Sequence, residues 1–217
     1  MELLEKMWEK TKGNSMQLVD PQQMELSLEA MHDISGEAQR MSRLVNDLLA
    51  LARADTGVVM DMQALEIKPL VDEVVRRAQF LPRTAEWLIG DLHALEGAWV
   101  QGNRDYLQQL LFIFIENAFK YTPNGHVKLD TLWSGEEIGI RITDSGIGME
   151  KDEIPHIFER FYRADLSRGQ TMGTGLGLAI AKWIIDEHDG TVEVMTRKDE
   201  GSTFIVWLPA SFPHTSQ

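Results

Sequence analysis

Two glycine-rich segments, Asp144–Gly148 and Gly173–Leu178, lie about thirty residues apart in the sequence and could together hold a nucleotide. Glycine lets the backbone approach a ligand closely and adopt a positive φ, so turns of this kind can surround a purine and a polyphosphate. The candidate nucleotide-binding residues of the two segments are Asp144, Gly146, Gly148, Gly173, Thr174, Gly175, Leu176, Gly177 and Leu178.

Asp144 follows an apolar strand pattern and precedes a glycine turn, a position that presents its carboxylate to a cavity. A carboxylate accepts a hydrogen bond from an exocyclic amine. Adenine has such an amine, whereas guanine has a carbonyl at that edge. The position of Asp144 therefore predicts that the site selects adenine. In the alternative, Asp144 is part of an ordinary Asp-Ser-Gly turn and has no role in binding.

The second glycine segment runs directly into a predicted helix over about 176–188. The free N–H groups and the positive dipole end of such a helix form an anion site. The glycine spacing differs from the dinucleotide-binding fingerprint, and the sequence lacks the Gly-Lys-Ser/Thr element of a P-loop. Those two classes of nucleotide site are therefore excluded.

Asn117 and Lys120 lie three residues apart on a predicted central helix, so their side chains project from one face. An amide oxygen is a suitable Mg²⁺ ligand, and an ammonium group one turn away can meet a phosphate. On an ordinary helix the same two residues would form a solvated edge. Here the surrounding sequence is so apolar that buried polar groups need a partner, which a bound nucleotide would provide.

Extended and helical segments alternate in the second part of the chain, and this order predicts an α+β fold in which helices cover one face of a sheet. Apolar residues on one face predict the central helix over 104–121, with Asn117 and Lys120 near its end. Before the central helix, the pattern predicts strands over 60–67, 87–92 and 98–101 and a helix over 69–80. After it, the pattern predicts strands around 127–131 and 138–142, a short helix over 151–158, a polar loop over 163–172, and closing strands over 191–196 and 202–208.

A heptad seam of nearly uninterrupted apolar residues predicts one long helix from about Pro21 to Ala54, which Asp55-Thr56-Gly57 ends. Its members are Met24, Ser27, Met31, Ile34, Ala38, Met41, Val45, Leu48 and Ala52. A shorter apolar stripe, Leu3–Trp8, precedes this helix and completes a helical hairpin. We predict two domains, the hairpin over 1–57 and a second domain over 58–217, and we favour dimerisation over ordinary packing for the seam.

The 217 residues include 34 acidic and 21 basic side chains, which gives a formal charge of −13. So acidic a chain repels phosphate backbones, and no nucleic-acid partner is expected. Because the sequence has no cysteine, disulfides, thiolate metal ligands and a cysteine nucleophile are excluded. No apolar run approaches the roughly 20 residues that cross a bilayer, so we expect a soluble chain that could be the cytosolic end of a longer membrane protein.

Four segments together resemble the nucleotide-binding boxes of sensor histidine kinases: Asn117–Pro123, Asp144–Gly148, Ile157–Arg163 and Gly173–Leu178. Residues Glu37–Leu49 also resemble the second helix of that family's dimerisation and phosphoacceptor hairpin, and Gly201–Phe204 resembles its last glycine element. The resemblance covers nearly the whole chain. It implies a Bergerat-type ATP-binding domain, a mixed α/β sandwich preceded by a helical hairpin.

ATP and Mg²⁺ are the cofactors that this resemblance implies. Asn117 would hold Mg²⁺, Lys120 and Tyr121 would approach the phosphates, and Asp144 would hold adenine. Residues from about 149 to 174 would form a mobile lid, with Phe158 and Phe161 as its anchors and with Arg160 and Arg163 assisting transfer. In the alternative, these phenylalanines are ordinary core residues and these arginines are solvated.

The resemblance also implies that the intact parent protein is a membrane-anchored homodimer. It would pass the ATP γ-phosphate to a histidine and then to an aspartate on the receiver domain of a response regulator. The family's phosphoacceptor motif, a histidine and an acidic residue followed by Leu-Arg-Thr-Pro, does not occur, so we expect this fragment not to phosphorylate itself. His32-Asp33 imitates the dipeptide, but no proline follows, and a solvated helix histidine is expected.

Ile113 is a second departure, because the family often has an asparagine there as a further Mg²⁺ contact. Related ATPases of type II topoisomerases, mismatch repair and a large chaperone family hydrolyse ATP with a glutamate at this position. An aliphatic side chain cannot deprotonate water, so a rapidly hydrolysing clamp is disfavoured. The remaining class is a non-catalytic dimeric adaptor with a vestigial pocket, which the retained Asp144, Asn117 and Lys120 argue against.

Overall fold

The computed structural model describes residues 21–57, 60–163 and 174–211, and the chain divides into two units, Met1–Asn46 and Asp47–Gln217. The candidate site residue Gly173, the apolar stripe Leu3–Trp8 and part of the predicted lid fall outside the described residues. The domain boundary predicted between residues 57 and 58 stays a prediction.

Helix α1 spans Pro21–Thr56, in agreement with the long helix that the heptad seam predicts. Gly57 follows it with a φ of +63°, as the predicted glycine stop requires. Seam residues of the first unit, such as Met31 and Ile34, are more than half exposed in this single chain. The last turns of α1 belong to the second unit, where Ala50 and Leu51 join the hydrophobic core.

Three further helices and seven strands follow within the described residues of the second unit. The helices are α2 (Ile67–Ala78), α3 (Arg104–Tyr121) and α4 (Gly177–Glu187). The strands are β1 (Gln63–Glu66), β2 (Glu86–Ile89), β3 (Trp99–Gly102), β4 (His126–Ser134), β5 (Glu137–Asp144), β6 (Thr191–Arg197) and β7 (Gly201–Ser211). None of the helices in the described ranges has both the length and the apolar character that a membrane crossing requires.

The described strands form one mixed sheet in the order β1-β3-β7-β5-β4-β2, with β6 paired to β7. The β2–β4 pair is parallel and the other pairs are antiparallel. Ile138, Ile140 and Ile142 alternate along β5 and are fully buried in the core, and the strand ends at Asp144. This arrangement confirms the predicted α+β fold and places Asp144 at the end of a buried central strand.

Asn103 and His188 fix the N-terminal end of α3. The Asn103 side chain accepts hydrogen bonds from the N–H groups of Asp105 and Tyr106 and so caps the helix, while its backbone N–H donates to Nε2 of His188 at 3.0 Å. The other ring nitrogen, Nδ1, lies 2.7 Å from the carbonyl oxygen of Ile184 in α4. Because a carbonyl only accepts, Nδ1 carries the proton. The neutral ring therefore links α3 to α4, and its burial lowers the pKa of His188.

The segment predicted as a short helix over 151–158 contains only one 3₁₀ turn, Ile154–His156. Pro155 lies inside this turn and has no backbone N–H. An α-helix that began at residue 151 would therefore lack one of its backbone hydrogen bonds, which explains why the helix is shorter than predicted.

Candidate nucleotide-binding site

Asp144 ends β5, and only 7% of its surface is exposed. Its Oδ1 accepts hydrogen bonds from the N–H groups of Gly146, at 2.9 Å, and Ser202, at 3.2 Å. Both backbone hydrogen bonds that Asp144 accepts within the described residues use this one oxygen. The other oxygen, Oδ2, receives no backbone N–H from these residues and is therefore the candidate acceptor for a ligand.

Burial raises the pKa of the Asp144 carboxyl above its ordinary value of 3.8, because a low-polarity environment disfavours the charge. The N–H groups of Gly146 and Ser202 act in the opposite direction and favour the ionised form, as does the hydroxyl of Thr122. A buried carboxylate held in this way gains from a ligand that donates a hydrogen bond to it, as an exocyclic amine does.

The end of α3 holds one side of the first glycine turn. The N–H of Ile147 donates to the carbonyl oxygen of Tyr121 at 3.1 Å. Gly146 lies so close that a Cβ there would be 2.8 Å from the Tyr121 carbonyl carbon and 2.7 Å from Oγ1 of Thr122. Only a glycine fits at this position, so the turn is seated directly against the helix that carries Asn117 and Lys120.

The β6–β7 hairpin holds the other side of the same turn. The N–H of Asp199 donates to the carbonyl oxygen of Ile147 at 2.7 Å. Gly148 has a φ of +59°, and a Cβ there would overlap the carbonyl group of Arg197. Arg197 and Asp199 lie outside the segments singled out from the sequence, and Ser202 lies within the Gly201–Phe204 segment without a predicted supporting role. The glycine element that starts at Gly201 was the one signal that could have pointed to this hairpin.

Asn117 and Lys120 are partly buried on the last turns of α3. The Nζ of Lys120 donates to the hydroxyl of Tyr121 at 3.1 Å and lies 4.7 Å from the centre of its ring. The side chain of Asn117 makes no hydrogen bond with another described residue. Among the described residues, the amide of Asn117 therefore has no partner and the ammonium group of Lys120 is held by its neighbour Tyr121 alone.

Ile113 lies one turn before Asn117 and is partly buried against the core. A Cβ built on Gly177, the first residue of α4, would lie 3.5 Å from Cγ2 of Ile113, so the isoleucine faces the start of that helix. Within the described residues, no group of three or more His, Asp or Glu side chains could hold a metal ion. Of the two helical positions expected to contact Mg²⁺, Asn117 therefore has an oxygen donor and Ile113 has none.

The described part of the second glycine segment runs from Thr174 to Leu178. The N–H of Leu176 donates to Oγ1 of Thr174 at 3.2 Å, and α4 begins at Gly177 without a side-chain cap. The first N–H groups of an α-helix have no partners inside the helix. Those of α4 are therefore open to an anion such as a phosphate, as the sequence predicts.

The Ile157–Arg163 segment contacts both the second glycine segment and the end of α1. The N–H of Phe161 donates to the carbonyl oxygen of Gly175 at 2.9 Å. Arg160 forms two hydrogen bonds with the carboxylate of Asp55, at 2.9 and 2.5 Å. Phe158 packs against the core, whereas Phe161 is 67% exposed and Arg163 is partly buried. Their assignment as lid residues stays a prediction.

A family model described as histidine kinase-, DNA gyrase B-, and HSP90-like ATPase matches residues 102–211, which is about half of the chain. The matched range begins just before the cap of α3 and ends with β7. It contains the whole candidate nucleotide-binding site and all of the predicted lid residues.

Individual relatives agree with this match. The chain is 36% identical over 186 residues to sensor histidine kinase YkoH of Bacillus subtilis, covering 84% of this chain and 39% of that protein. It is 33% identical over 176 residues to sensor-like histidine kinase SenX3 of Mycolicibacterium smegmatis, covering 80% of this chain and 46% of that protein. The chain thus spans less than half the length of these two relatives.

A solved structure shares the fold. Histidine kinase AdeS of Acinetobacter baumannii superposes with a TM-score of 0.65 and is 20% identical in sequence. The superposition covers 96% of this chain and 93% of that one. At this identity the likeness concerns the fold alone.

Proposed function

Since this chain belongs to the histidine kinase-, DNA gyrase B- and HSP90-like ATPase family, and its relatives are named sensor histidine kinases, we propose a kinase function for it. In this proposal, the chain binds ATP between α3 and α4, and the γ-phosphoryl group of ATP is transferred to a histidine. One observation carries the proposal. Asp144 is buried at the end of β5 with Oδ1 occupied by two backbone N–H groups, so Oδ2 accepts the hydrogen bond from the exocyclic amine of adenine.

The phosphates lie at the other end of the proposed site. The uncapped N–H groups at the start of α4 and the ammonium group of Lys120 offset phosphate charge, and Tyr121 holds Lys120 in place until the nucleotide arrives. Mg²⁺ would be held by the amide oxygen of Asn117 together with the phosphate oxygens, an all-oxygen donor set that suits this ion. When bound, the ion supplies charge neutralisation for the transferring phosphoryl group.

In the parent protein, a nitrogen of the phosphoacceptor histidine would attack the γ-phosphorus of ATP as the bond to the β–γ bridging oxygen breaks, releasing ADP. The phosphoryl group would then pass to an aspartate on the receiver domain of a response regulator. We propose that the exposed seam of α1 pairs with a second copy in this parent, since its described apolar side chains, such as Met31 and Ile34, are more than half exposed. The parent would be anchored in the membrane, with this portion in the cytosol.

Calorimetric titration of the chain with ADP and with ATP, in Mg²⁺ and in EDTA, tests the proposal. We expect micromolar binding of both nucleotides and tighter ATP binding in Mg²⁺ than in EDTA. We expect no binding by Asp144→Asn, because the N–H of the new amide would face the amine of adenine, and two donors cannot form a hydrogen bond with each other. Asp186→Asn is the matched control, because Asp186 is an exposed aspartate near the end of α4, paired with Lys182. Unchanged affinity in Asp144→Asn would refute the adenine assignment.

The same titration separates the alternatives. A folded chain that binds no nucleotide would favour a non-catalytic adaptor with a vestigial pocket. Rapid release of inorganic phosphate from ATP by the isolated chain would favour a hydrolysing clamp. We expect neither result, because Asn117 and Lys120 are retained and because Ile113 cannot activate water.

A further inference from the structure

An ion pair joins the last turn of α1 to the segment that contacts the second glycine segment. The guanidinium of Arg160 donates to both carboxylate oxygens of Asp55, at 2.9 and 2.5 Å, across 105 positions of the sequence. Such a forked pair fixes the orientation of the two side chains as well as their distance. Its hydrogen bonds lower the pKa of Asp55 and raise that of Arg160, so both groups are charged at neutral pH.

The end of α1 is itself held in place. Its last turns are part of the hydrophobic core of the second unit. Nη1 of Arg53 donates to the hydroxyl of Tyr106 in α3 at 2.7 Å, and the ring of Tyr106 packs edge-on against Trp183 of α4, with 5.3 Å between the ring centres. Asp55 therefore projects from a helix end that is seated on the two helices flanking the proposed site.

Phe161, the residue after Arg160, has a strained backbone. Its φ is +64°, and a residue with a large side chain keeps such a conformation only where surrounding contacts impose it. Gly175 supplies two of these contacts. The N–H of Phe161 donates to the Gly175 carbonyl oxygen at 2.9 Å, and a Cβ built on Gly175 would lie 2.9 Å from Cα of Phe161. A shift of Arg160 would therefore be passed directly to the second glycine segment.

We propose that Asp55 is a positioning residue for the phosphate end of the site. Through Arg160 and Phe161 it fixes the backbone of the second glycine segment, which leads into the uncapped N–H groups at the start of α4. This inference rests on the proposed function, since it requires that those N–H groups bind phosphate. It makes Arg160 an anchor of the glycine segment instead of a group that contacts the transferred phosphate.

The sign of the effect of Asp55→Asn distinguishes these two roles of Arg160. If Arg160 is an anchor, losing its charged partner loosens the glycine segment, and ATP affinity falls. If Arg160 contacts phosphate, its release from Asp55 raises ATP affinity. In calorimetric titration of the whole chain with ATP and Mg²⁺, we expect about two- to fivefold weaker binding by Asp55→Asn, the range that an exposed ion pair allows. Arg160→Gln should lose as much, and the double variant should lose no more than either single variant.

Adenosine, which has the base but no phosphate, is the matched ligand. Its affinity should be the same in wild type and Asp55→Asn, because Asp144 is held by other parts of the chain. The exchanged pair, Asp55→Arg with Arg160→Asp, should recover most of the ATP affinity. Asp186→Asn removes an equal charge from another exposed aspartate and should leave ATP affinity unchanged.

Thermal unfolding without nucleotide separates positioning from general support of the fold. The side chains of Asp55 and Arg160 are 58% and 46% exposed, so their pairing contributes little to global stability. Asp55→Asn should therefore unfold at nearly the same temperature as wild type, although its ATP affinity is lower.

The outcomes separate this inference from the proposed function. If wild-type protein binds ATP and Asp55→Asn binds it equally well or more tightly, the positioning role is refuted and the proposed function stands. Equal losses of ATP and adenosine affinity in Asp55→Asn would also refute this role, because the effect would not be confined to the phosphate end. If wild-type protein is folded and binds neither ligand, both proposals are refuted.

Discussion

Gly148→Ala tests whether the turn after Asp144 owes its shape to packing against the β6–β7 hairpin. Gly148 has a φ of +59°, a conformation that costs an alanine about 1–2 kcal/mol. A Cβ at this position would also overlap the carbonyl oxygen of Arg197, lie 2.6 Å from its carbonyl carbon and lie 3.1 Å from the carbonyl oxygen of Gly201. All of these atoms are backbone, so no side chain can turn aside to make room.

The magnitude follows from these two effects. Moving the turn away from the hairpin would break the hydrogen bond from the Asp199 N–H to the Ile147 carbonyl oxygen and disturb the Ser202 N–H that holds Asp144. Each such bond contributes about 0.5–1.5 kcal/mol. With the conformational cost added, Gly148→Ala should lower the free energy of unfolding by about 3 kcal/mol, and ADP affinity should fall at least tenfold because Asp144 is displaced.

Gly135→Ala is the matched control. Gly135 lies in the β4–β5 turn with the same φ of +59°, but a Cβ there would meet no atom within 4 Å. This variant isolates the conformational cost, so we expect a loss of about 1 kcal/mol and unchanged nucleotide affinity. Urea unfolding and ADP titration of both variants provide the comparison. Equal destabilisation by the two substitutions would refute the packing argument.

Two other predictions concern buried polar groups. Burial lowers the pKa of His188 below its ordinary 6.5, so the unfolded chain takes up a proton that the folded chain excludes. The free energy of unfolding should therefore fall as the pH drops below about 6.5, by up to about 1.4 kcal/mol per pH unit. Urea unfolding measured from pH 7.5 to 5 should show this slope in the wild-type protein but not in His188→Gln. Asp130 is buried, but hydrogen bonds from Arg141 and Lys128 outweigh its burial and hold its pKa low. Asp130→Asn should cost about 1–2 kcal/mol of stability at neutral pH and leave ADP affinity unchanged; a fall in affinity would contradict the purely structural role.

The spacing of apolar residues and the positions of prolines predicted those parts of the fold that depend only on residues close together in the sequence. Helix α3 was expected over 104–121 and forms at Arg104–Tyr121, because an unbroken apolar pattern and Pro123 define it within a short stretch. The helix expected over 151–158 is the counterexample. The spacing of its apolar residues is helical, but Pro155 has no backbone N–H to donate, and apolar spacing alone does not take this missing hydrogen bond into account.

The supports of the candidate site could not be predicted in the same way, because they come from distant parts of the sequence. Ser202 donates to Asp144 across 58 positions, and His188 accepts from Asn103 across 85.

The two ends of the proposed pocket differ in how firmly their groups are held. At the base end, Asp144 is fixed by two backbone N–H donors, and its turn is enclosed by backbone from α3 and from the β6–β7 hairpin. At the phosphate end, Tyr121 is the one described residue that holds Lys120, and the first N–H groups of α4 have no side-chain cap. A preformed base site loses little conformational freedom on binding, whereas the phosphate groups must still be ordered. We therefore infer that the base provides the fixed point of the complex, and that the reactive end of ATP is organised afterwards, when a phosphoacceptor approaches.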